Sequence, residues 1–518
     1  MVVVAEDELP SCPDYSSHAY MNHTPPSPGR YQLSYQRPEP ACRKFILPEV
    51  EETIHAMARA IRDPDLFRLF ENCFPNTLDT AITWKGVAAD HPDEELTFIT
   101  TGDINAMWLR DSANQLQSYR SLLRPNTSSS SLASLFRGAI NLQARYILAA
   151  PFCNAFHAPP EAAANLSASS FSFSSGQADY VTPPPDPSVV FECKYELDSL
   201  AAFLQLSHDY FSATSDAAFF ARGSAATHRS SSTWVRAVHA ILNLTTTMQQ
   251  GTYSPDGTVL PSPYLFQRST SSASETLPNS GAGSPVAPQT GLVRSAFRPS
   301  DDACTYQLLI PANMMLAHAL LNSASIASSL ALPDLAARMR SLSTSIQQGI
   351  EKYGRTHHRK YGRIYAYEVD GFGSANVMDD ANIPSLLSAP LLSGSGFVER
   401  DDPIYQNTRR FVLSRDNPYY MFGPVINGTG GPHVGPGMAW PMSLIVRIMT
   451  SDDDDEIYAS LKQILASTNG LGLIHESVST HDAAIWTRQW FSWANGLFGQ
   501  MMLDLRERKP HLLRRSYQ

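Results

Sequence analysis

Apolar residues recur along most of this chain at the three- and four-residue spacing of amphipathic helices. Within 132–139, Leu, Leu, Phe and Ala occupy positions i, i+3, i+4 and i+7, and 335–346 repeats the helical spacing after Asp334, which is placed to cap that segment. The alternation typical of strands is rare, and its best example is 363–369. The pattern predicts a mostly helical protein, with further helices near 49–73, 112–122, 195–212, 232–250, 302–327, 402–414, 435–450, 454–468 and 480–504.

Stretches without this helical pattern suggest how the chain is organised. Residues 1–45 are rich in Pro and Tyr and are predicted to form an extended arm on the surface. Residues 46–510 carry helical segments throughout with no change of composition, which indicates one domain. Ser- and Pro-rich insertions near 160–176 and 268–290 interrupt this domain and are predicted to be mobile. The acidic run 452–456 is interpreted as a solvated helix start, because carboxylates complement the helix dipole there, rather than as a cation site.

The composition is that of an ordinary globular protein, with 518 residues of which 43% are hydrophobic. A formal net charge of −10 and scattered Lys and Arg leave no basic stripe, so neither nucleic acid nor an anionic membrane is expected as a partner. A neutral ligand suits this balance better, and a monomer is expected. No apolar run approaches the ~20 residues that cross a bilayer, and the short acidic start does not resemble a signal peptide. The secretory pathway and the cytoplasm both remain open.

The cysteines and histidines show no spacing typical of a metal site. Six scattered cysteines without a Cys-x-x-Cys pair argue against a zinc knuckle and a dense disulfide framework, although a link such as Cys12–Cys42 could tie the arm down. His475 lies six residues before His481, so the two imidazoles do not share a helix face. His433, in a Gly- and Pro-rich loop, is interpreted as a substrate hydrogen-bonder or a structural residue. Neither a metal nor another cofactor is expected.

The segment 472–495 combines an ionisable pair with aromatic rings and amides. His475 and Glu476 are followed by three tryptophans within eight residues and by Asn495. A sugar site requires this mixture, because the C–H face of the ring is apolar and its hydroxyls need fixed polar partners. The alternative interpretation is a C-terminal core helix whose indoles only pack.

Paired carboxylates elsewhere in the chain could complete an acid/base site. In the Asp301-Asp302 pair, one carboxylate could cap the following helix. The other, repelled by its neighbour and partly buried, could have a raised pKa and remain a general acid. Glu476 is the natural partner as the base that activates water. Four polar islands lie between apolar helices, at 101–112, 192–198, 297–302 and 475–477.

Seven segments between about residues 50 and 505 match motifs of one known family. Together and in this order they resemble glycoside hydrolase family 125. The resemblance implies an all-α fold, an (α/α)6 toroid forming a single catalytic domain over 46–510, and the activity of an inverting, metal-independent exo-α-1,6-mannosidase. The segments are Thr-Gly-Asp-Ile-Asn-Ala-Met-Trp-Leu-Arg-Asp-Ser (101–112), Lys-Tyr-Glu-Leu-Asp-Ser-Leu (194–200), Ser-Ala-Phe-Arg-Pro-Ser-Asp-Asp (295–302), Ile-Pro-Ala-Asn-Met (310–314), Tyr-Ala-Tyr-Glu-Val-Asp-Gly-Phe-Gly (365–373), Met-Asp-Asp-Ala-Asn-Ile-Pro-Ser-Leu (378–386), and His-Glu-Ser with Trp-Phe-Ser-Trp-Ala-Asn (475–495).

The same resemblance implies roles for individual residues. The general acid falls on Asp302 and the general base on Glu476, with the choice within the Asp301-Asp302 pair left open. The implied partner is a mannose-containing oligosaccharide, with terminal α-1,6-linked mannose in a mannan or an N-glycan. The residues implied to bind the sugar are Asp103, Trp108, Arg110, Asp111, Asp301, His433, His475, Trp493 and Asn495.

Two other functions remain open at this point. Another toroidal glycosidase, of the glucoamylase or trehalase type, would share helices and carboxylates but not this order of motifs. A non-catalytic glycan-binding protein would bind the sugar without hydrolysing it. The N-terminal arm and the Ser-rich insertions depart from compact bacterial members of the family. These departures leave the specificity of the outer sugar subsites open, but they do not change the expected reaction.

Overall fold

The computed structural model of the protein describes residues 12–163, 179–222, 232–393 and 397–518. Helices dominate these residues, as the periodicity predicts. None of the described helices combines the length and the apolar character that crossing a membrane demands. The α-helices are α1 Tyr15–Ala19, α2 Pro48–Ala60, α3 Pro64–Cys73, α4 Leu109–Gln117, α5 Leu132–Ala149, α6 Leu197–Thr214, α7 Ala217–Ala221, α8 Thr233–Thr247, α9 Ile310–Ser329, α10 Pro333–Tyr353, α11 Ala389–Ser393, α12 Pro403–Val412, α13 Pro441–Met449, α14 Asp454–Ala466 and α15 Ser492–Arg508.

Twelve of the described helices alternate along the chain between an outer and an inner ring. The inner helices are α4, α6, α9, α11, α13 and α15; α4 packs on α6, α6 on α9, α9 on α11, α13 on α15, and α15 returns to α4. Outer helices pack behind them, including α3 on α15, α5 on α6, α10 on α9 and α14 on α13. The fold is therefore the (α/α)6 toroid. Because an outer helix returns the chain after each inner helix, the inner helices run in one direction and begin at one mouth.

The adjacent helices α9 and α10, one inner and one outer, differ in their pattern of buried residues. The inner helix α9 buries fourteen of its twenty residues, because it is apolar nearly all round. The outer helix α10 buries seven of twenty-one, with Leu335, Met339 and Ile346 on its inward face. Asp334 does not cap α10, contrary to the sequence prediction. Leu332 is the N-cap residue and makes no side-chain capping bond, while Asp334 lies in the first turn.

One predicted helix is split in two, and two others begin later than the sequence pattern suggested. The predicted helix 49–73 is two helices, because Asp63 caps α3 and Pro64 occupies its first position. The helix predicted from 302 begins only with α9, and the helix predicted from 480 begins only with α15. In both cases the preceding residues form turns and short strands.

The strands are short, antiparallel and concentrated before the inner helices. β3 precedes α4, β6 precedes α6, β8 precedes α9, and β15 and β17 precede α13 and α15. The run predicted as a strand at 363–369 contains β10 and β11. The strands are β1 Ile82–Val87, β2 Glu95–Ile99, β3 Met107–Trp108, β4 Ala155–Phe156, β5 Asp179–Thr182, β6 Val190–Glu192, β7 Leu265–Arg268, β8 Leu308–Leu309, β9 Arg355–His358, β10 Gly362–Tyr365, β11 Glu368–Val369, β12 Ala375–Asn376, β13 Tyr420–Met421, β14 Gly428–Thr429, β15 Met438–Ala439, β16 Ser477–Ser479 and β17 Trp486–Thr487.

The N-terminal segment is tied to the domain by a disulfide. Cys12 and Cys42 are bonded, as the sequence allowed, and Leu33 between them is fully buried. The Ser34 amide donates to the Gly470 carbonyl at 2.9 Å, which fastens the segment to the chain just before the 472–495 region. A second disulfide links Cys153 with Cys193, which no sequence feature indicated.

The loops predicted to be mobile differ in what the structure describes. The insertion near 160–176 lies mostly outside the described residues. The insertion at 268–290 follows a defined path, in which β7 pairs with β5 and the Phe266 amide donates to the Gly281 carbonyl at 3.0 Å. The acidic run does begin a helix, since the Asp453 carboxylate caps α14 by accepting from the amides of Asp455 and Glu456.

Candidate active site

A cavity of about 500 Å³ opens where the inner helices begin. Helix N-termini carry partial positive charge, which favours the carboxylates gathered there. The wall is built from every inner helix or from the loop that precedes it. Its residues include Trp108 and Arg110 beside α4, Lys194 before α6, Asp301 before α9, Asn382 before α11, His433 and Trp440 before α13, and Glu476, Arg488 and Trp493 around α15.

A larger cavity of about 900 Å³ lies at the opposite ends of the inner helices. Amides and imidazoles such as Gln117, His208 and His318 line it, and its described lining contains no tryptophan. A sugar ring would find no indole face in that cavity. The smaller cavity, which combines indoles with facing carboxylates, is the better candidate for chemistry on a sugar.

Glu476 is held in the wall by the β16–β17 hairpin. Its amide donates to the Thr487 carbonyl at 3.2 Å, and the Thr487 hydroxyl donates to its Oε2 at 3.0 Å. The Arg488 Nη1 atom lies 3.6 Å from Oε1, while Arg488 Nε donates to Asp103 Oδ1 at 2.7 Å. Asp103 therefore orients Arg488 from behind the cavity wall. The second oxygen of Glu476 is left free of a short protein hydrogen bond and can accept from water.

The Asp301-Asp302 pair lies in a tight turn, and the two side chains point to different places. Asp301 has a φ of 66° and lines the cavity. Asp302 is 1% exposed and lies behind it, with Oδ1 3.8 Å from His433 Nδ1. The sequence interpretation that one carboxylate caps the next helix was wrong, because α9 begins only at Ile310. A left-handed conformation in an ordinary residue is strained and is commonly kept at functional sites.

Arg110 and three carboxylates form a buried charge cluster near Asp301. Arg110 Nη1 lies 2.5 Å from Glu196 Oε2 and 3.1 Å from Asp198 Oδ2, and Arg110 Nη2 lies 3.3 Å from Asp111 Oδ2. Burial raises the pKa of Asp111 to about 6, although Arg110 opposes this shift. The pKa of Glu196 is raised well above its usual range, again chiefly by burial. Burial in this cluster therefore favours the protonated form of both carboxyl groups.

His433 is held in its charged form by the carboxylates around it. Burial alone would disfavour its charged form, but Asp302, Glu476 and Asp301 around it raise the pKa of His433 to about 9. Its imidazole is therefore a cation at neutral pH. The imidazole lies near the Asp301-Asp302 pair and Glu476 and lines the cavity, where it can donate hydrogen bonds to a ligand.

Three tryptophans of the wall, Trp108, Trp440 and Trp493, carry unused hydrogen-bond donors. Each indole Nε1 atom is buried and has no partner among the described residues. The Asn382 Oδ1 atom, also in the wall, likewise has none there. Buried polar groups are normally paired, and unpaired ones are costly. Their concentration around one cavity is what a site built for a hydroxyl-rich ligand would show.

Three of the residues predicted to bind sugar stand behind the wall instead of lining it. The buried His475 ring stacks on Trp486 at 4.2 Å, and burial lowers its pKa to about 4, so it is neutral. The Asn495 side chain is fully buried and bonded to both the amide and the carbonyl of Ile474. Asp103 contacts Arg488, as described. These residues hold the segment that carries Glu476.

The structure adds residues that the sequence interpretation did not assign to the site. Lys194 and Glu196 belong to the polar island at 192–198, for which the sequence indicated no role. Trp440 directly precedes the Pro that opens α13, and an aromatic residue at such a helix start was a usable signal. Glu275 reaches the cavity from the 268–290 insertion, which no motif indicated. The described residues contain no cluster of His, Cys, Asp and Glu arranged to hold a metal ion.

Known proteins resemble this chain along nearly its whole length. A family model described as metal-independent α-mannosidase (GH125) matches residues 63–503. The Meiotically up-regulated gene 157 protein of Schizosaccharomyces pombe (strain 972 / ATCC 24843) is 47% identical over 509 residues, which are 98% of this chain and 95% of that protein. A Streptococcus pneumoniae structure is 33% identical with a TM-score of 0.75, and the match covers 89% of this chain and 99% of that one. It belongs to a metal-independent α-mannosidase in a non-productive complex with α-1,6-mannobiose.

Proposed function

The chain belongs to glycoside hydrolase family 125, the metal-independent α-mannosidases, and from this membership we propose that it releases terminal α-1,6-linked mannose from the non-reducing end of mannans or N-glycans. The observation that carries the proposal is one cavity in which Asp301 and Glu476 meet three indoles with unused donors. The pneumococcal relative, solved with α-1,6-mannobiose, supports the choice of linkage.

The proposed reaction inverts the anomeric centre in one step. Glu476 takes a proton from a water molecule as the water oxygen bonds to the anomeric carbon of mannose. The bond from that carbon to the glycosidic oxygen breaks, and its electron pair goes to the leaving oxygen, which receives a proton from the acid. Thr487 and Arg488 contact the Glu476 carboxylate and orient it for this role.

The acid in this proposal is Asp301, the residue left open as an alternative to Asp302. Asp301 lines the cavity, whereas Asp302 is buried behind it and faces His433. A general acid must come within hydrogen-bond reach of the leaving oxygen. Asp302 then acts indirectly, because its carboxylate keeps His433 charged beside the substrate.

The cavity walls supply the contacts that a mannose ring needs. Indole faces stack on apolar C–H faces, while Arg110, Asp111 and His433 present charged or hydrogen-bonding groups for ring hydroxyls. A neutral glycan carries no charge that could interact with the net charge of −10, so binding depends on stacking and hydrogen bonds. The two other functions raised by the sequence, a toroidal glucosidase and a non-catalytic lectin, become outcomes of the test.

The test is mannose release from α-1,6-mannobiose beside α-1,2- and α-1,3-mannobiose, maltose and trehalose, all with EDTA present. We expect hydrolysis of the α-1,6-linked disaccharide at a rate at least about a hundredfold above every other substrate, since that discrimination requires only ~2.7 kcal/mol of transition-state binding. Release of glucose from maltose or trehalose would identify a toroidal glucosidase. Binding of α-1,6-mannobiose without any release would identify a glycan-binding protein.

A further inference from the structure

One buried amide connects Asp301 with the carboxylates beneath it. Asn154 Nδ2 lies 3.2 Å from Glu196 Oε1, 3.3 Å from Asp301 Oδ1 and 3.3 Å from Glu192 Oε2. The amide is fixed, because Asn154 is fully buried and its Oδ1 accepts from the Lys194 amide at 3.0 Å. Three carboxylates therefore converge on a nitrogen that carries only two hydrogens. Repulsion between converging carboxylates favours a proton on one of them.

The charges around this amide point to the same conclusion. Glu196 is 1% exposed and does not line the cavity, whereas Asp301 does. Burial raises the pKa of Glu196, and although burial acts the same way on Asp301, Lys194, Glu196 and Arg110 together hold the pKa of Asp301 below its usual range. The other groups facing the pair are the carboxylates Glu192, Asp198 and Asp111 and the cations Arg110, Lys194, Arg268 and His433.

We propose that Glu196 is a positioning residue which stores the proton that Asp301 delivers to the leaving oxygen, so that the two carboxyl groups act as one acid. This inference rests on the proposed function and deepens it. An isolated Asp301 beside Lys194 and Arg110 would be ionised and unable to donate. A proton shared with Glu196 lets Asp301 act as a donor although its surroundings favour its ionised form.

The proton and electron balance of the step is simple. As the bond between the anomeric carbon and the glycosidic oxygen breaks, its electron pair moves to that oxygen, which takes a proton from Asp301. That proton comes from Glu196 through Asp301, so both groups end the step as carboxylates, with Glu196 beside Arg110. Glu476 meanwhile gains the proton lost by water. Transfer of that proton to solvent from Glu476, and uptake of one by the Glu196–Asp301 pair, restores the starting state.

The test compares two substrates within each variant. α-1,6-Mannobiose needs a proton on its leaving oxygen, whereas α-mannosyl fluoride releases fluoride with little need of an acid. In Glu196→Gln the ratio of kcat/KM on mannobiose to kcat/KM on the fluoride should fall by roughly a hundredfold or more, as expected for loss of acid catalysis. The alkaline limb of its pH profile should also move to lower pH, because Asp301 alone loses its proton earlier.

Two further variants control for a structural effect. Asp198→Asn removes an equally buried carboxylate bonded to Arg110, so it should leave the substrate ratio nearly unchanged. Glu196→Asp keeps a carboxyl group and should keep the ratio within about tenfold of wild type. The ratio does not depend on the folded fraction, so partial misfolding of any variant does not disturb the comparison.

The outcomes separate this inference from the proposed function. A parallel loss on both substrates in Glu196→Gln, with a selective loss in Asp301→Asn, would reduce Glu196 to a structural residue and leave the acid assignment standing. Absence of a selective loss in Asp301→Asn would overturn the acid assignment itself. Selective loss in both variants is the result we expect.

Discussion

The backbone conformation of Asp301 determines which of the two neighbouring aspartates reaches the cavity. The sequence places Asp301 and Asp302 together and offers either as an acid, but only the turn geometry separates them. With φ at 66°, Asp301 projects into the cavity while Asp302 faces His433 from behind. Sequence reasoning could not resolve this choice, because backbone dihedrals in a turn depend on contacts made by distant residues such as Glu368, which holds Arg298 at 2.6 Å.

Substitution of each aspartate tests this distinction. Asp301→Asn should lower kcat on α-1,6-mannobiose by roughly 10²- to 10⁴-fold, the usual contribution of a positioned acid. Asp302→Asn should cost about tenfold or less, because it lowers the pKa of His433 without removing the proton donor. Steady-state kinetics at pH 6 measure both. An active Asp301→Asn beside an inactive Asp302→Asn would return the acid role to Asp302.

At the scale of helices, the sequence pattern was informative where packing dominates. The outer helix α10 follows its apolar periodicity closely, because burial of its inward face stabilises it. The same pattern was wrong before α9 and α15. There, Ser, Asp and Arg side chains bond to backbone and to each other, and those bonds compete with helix formation. Asp301 and Glu476 lie just before these two predicted helix starts, and Arg488 lies within the second segment that forms no helix.

The cap of α14 gives a test at this scale. Asp453→Ala removes a side chain that accepts from the amides of Asp455 and Glu456 at 2.9 and 3.2 Å. It should destabilise the protein by about 1 kcal/mol, seen as a lower midpoint in urea. Asp455→Ala removes an exposed carboxylate from the same turn without a cap and should cost less. Equal midpoints for the two variants would show that the cap contributes nothing beyond its charge.

At the scale of the whole molecule, the toroid makes one site from distant segments. Each inner helix begins at the same mouth, so polar islands separated by about a hundred residues meet around one cavity. The family resemblance anticipated this fold, and the periodicity alone supported only a helical protein. Neither indicated that the 268–290 insertion brings Glu275 to the cavity or that a second disulfide joins Cys153 to Cys193, because such contacts depend on the assembled fold.

The most direct test of the proposed activity is proton NMR of α-1,6-mannobiose during the first minutes of hydrolysis, with EDTA present and with Glu476→Gln as the inactive control. An inverting enzyme using Glu476 as base should release β-mannose first, with α-mannose appearing only by mutarotation, and the control should release neither. First-formed α-mannose would contradict the inverting mechanism. No mannose of either anomer from the wild-type enzyme would contradict the proposed activity.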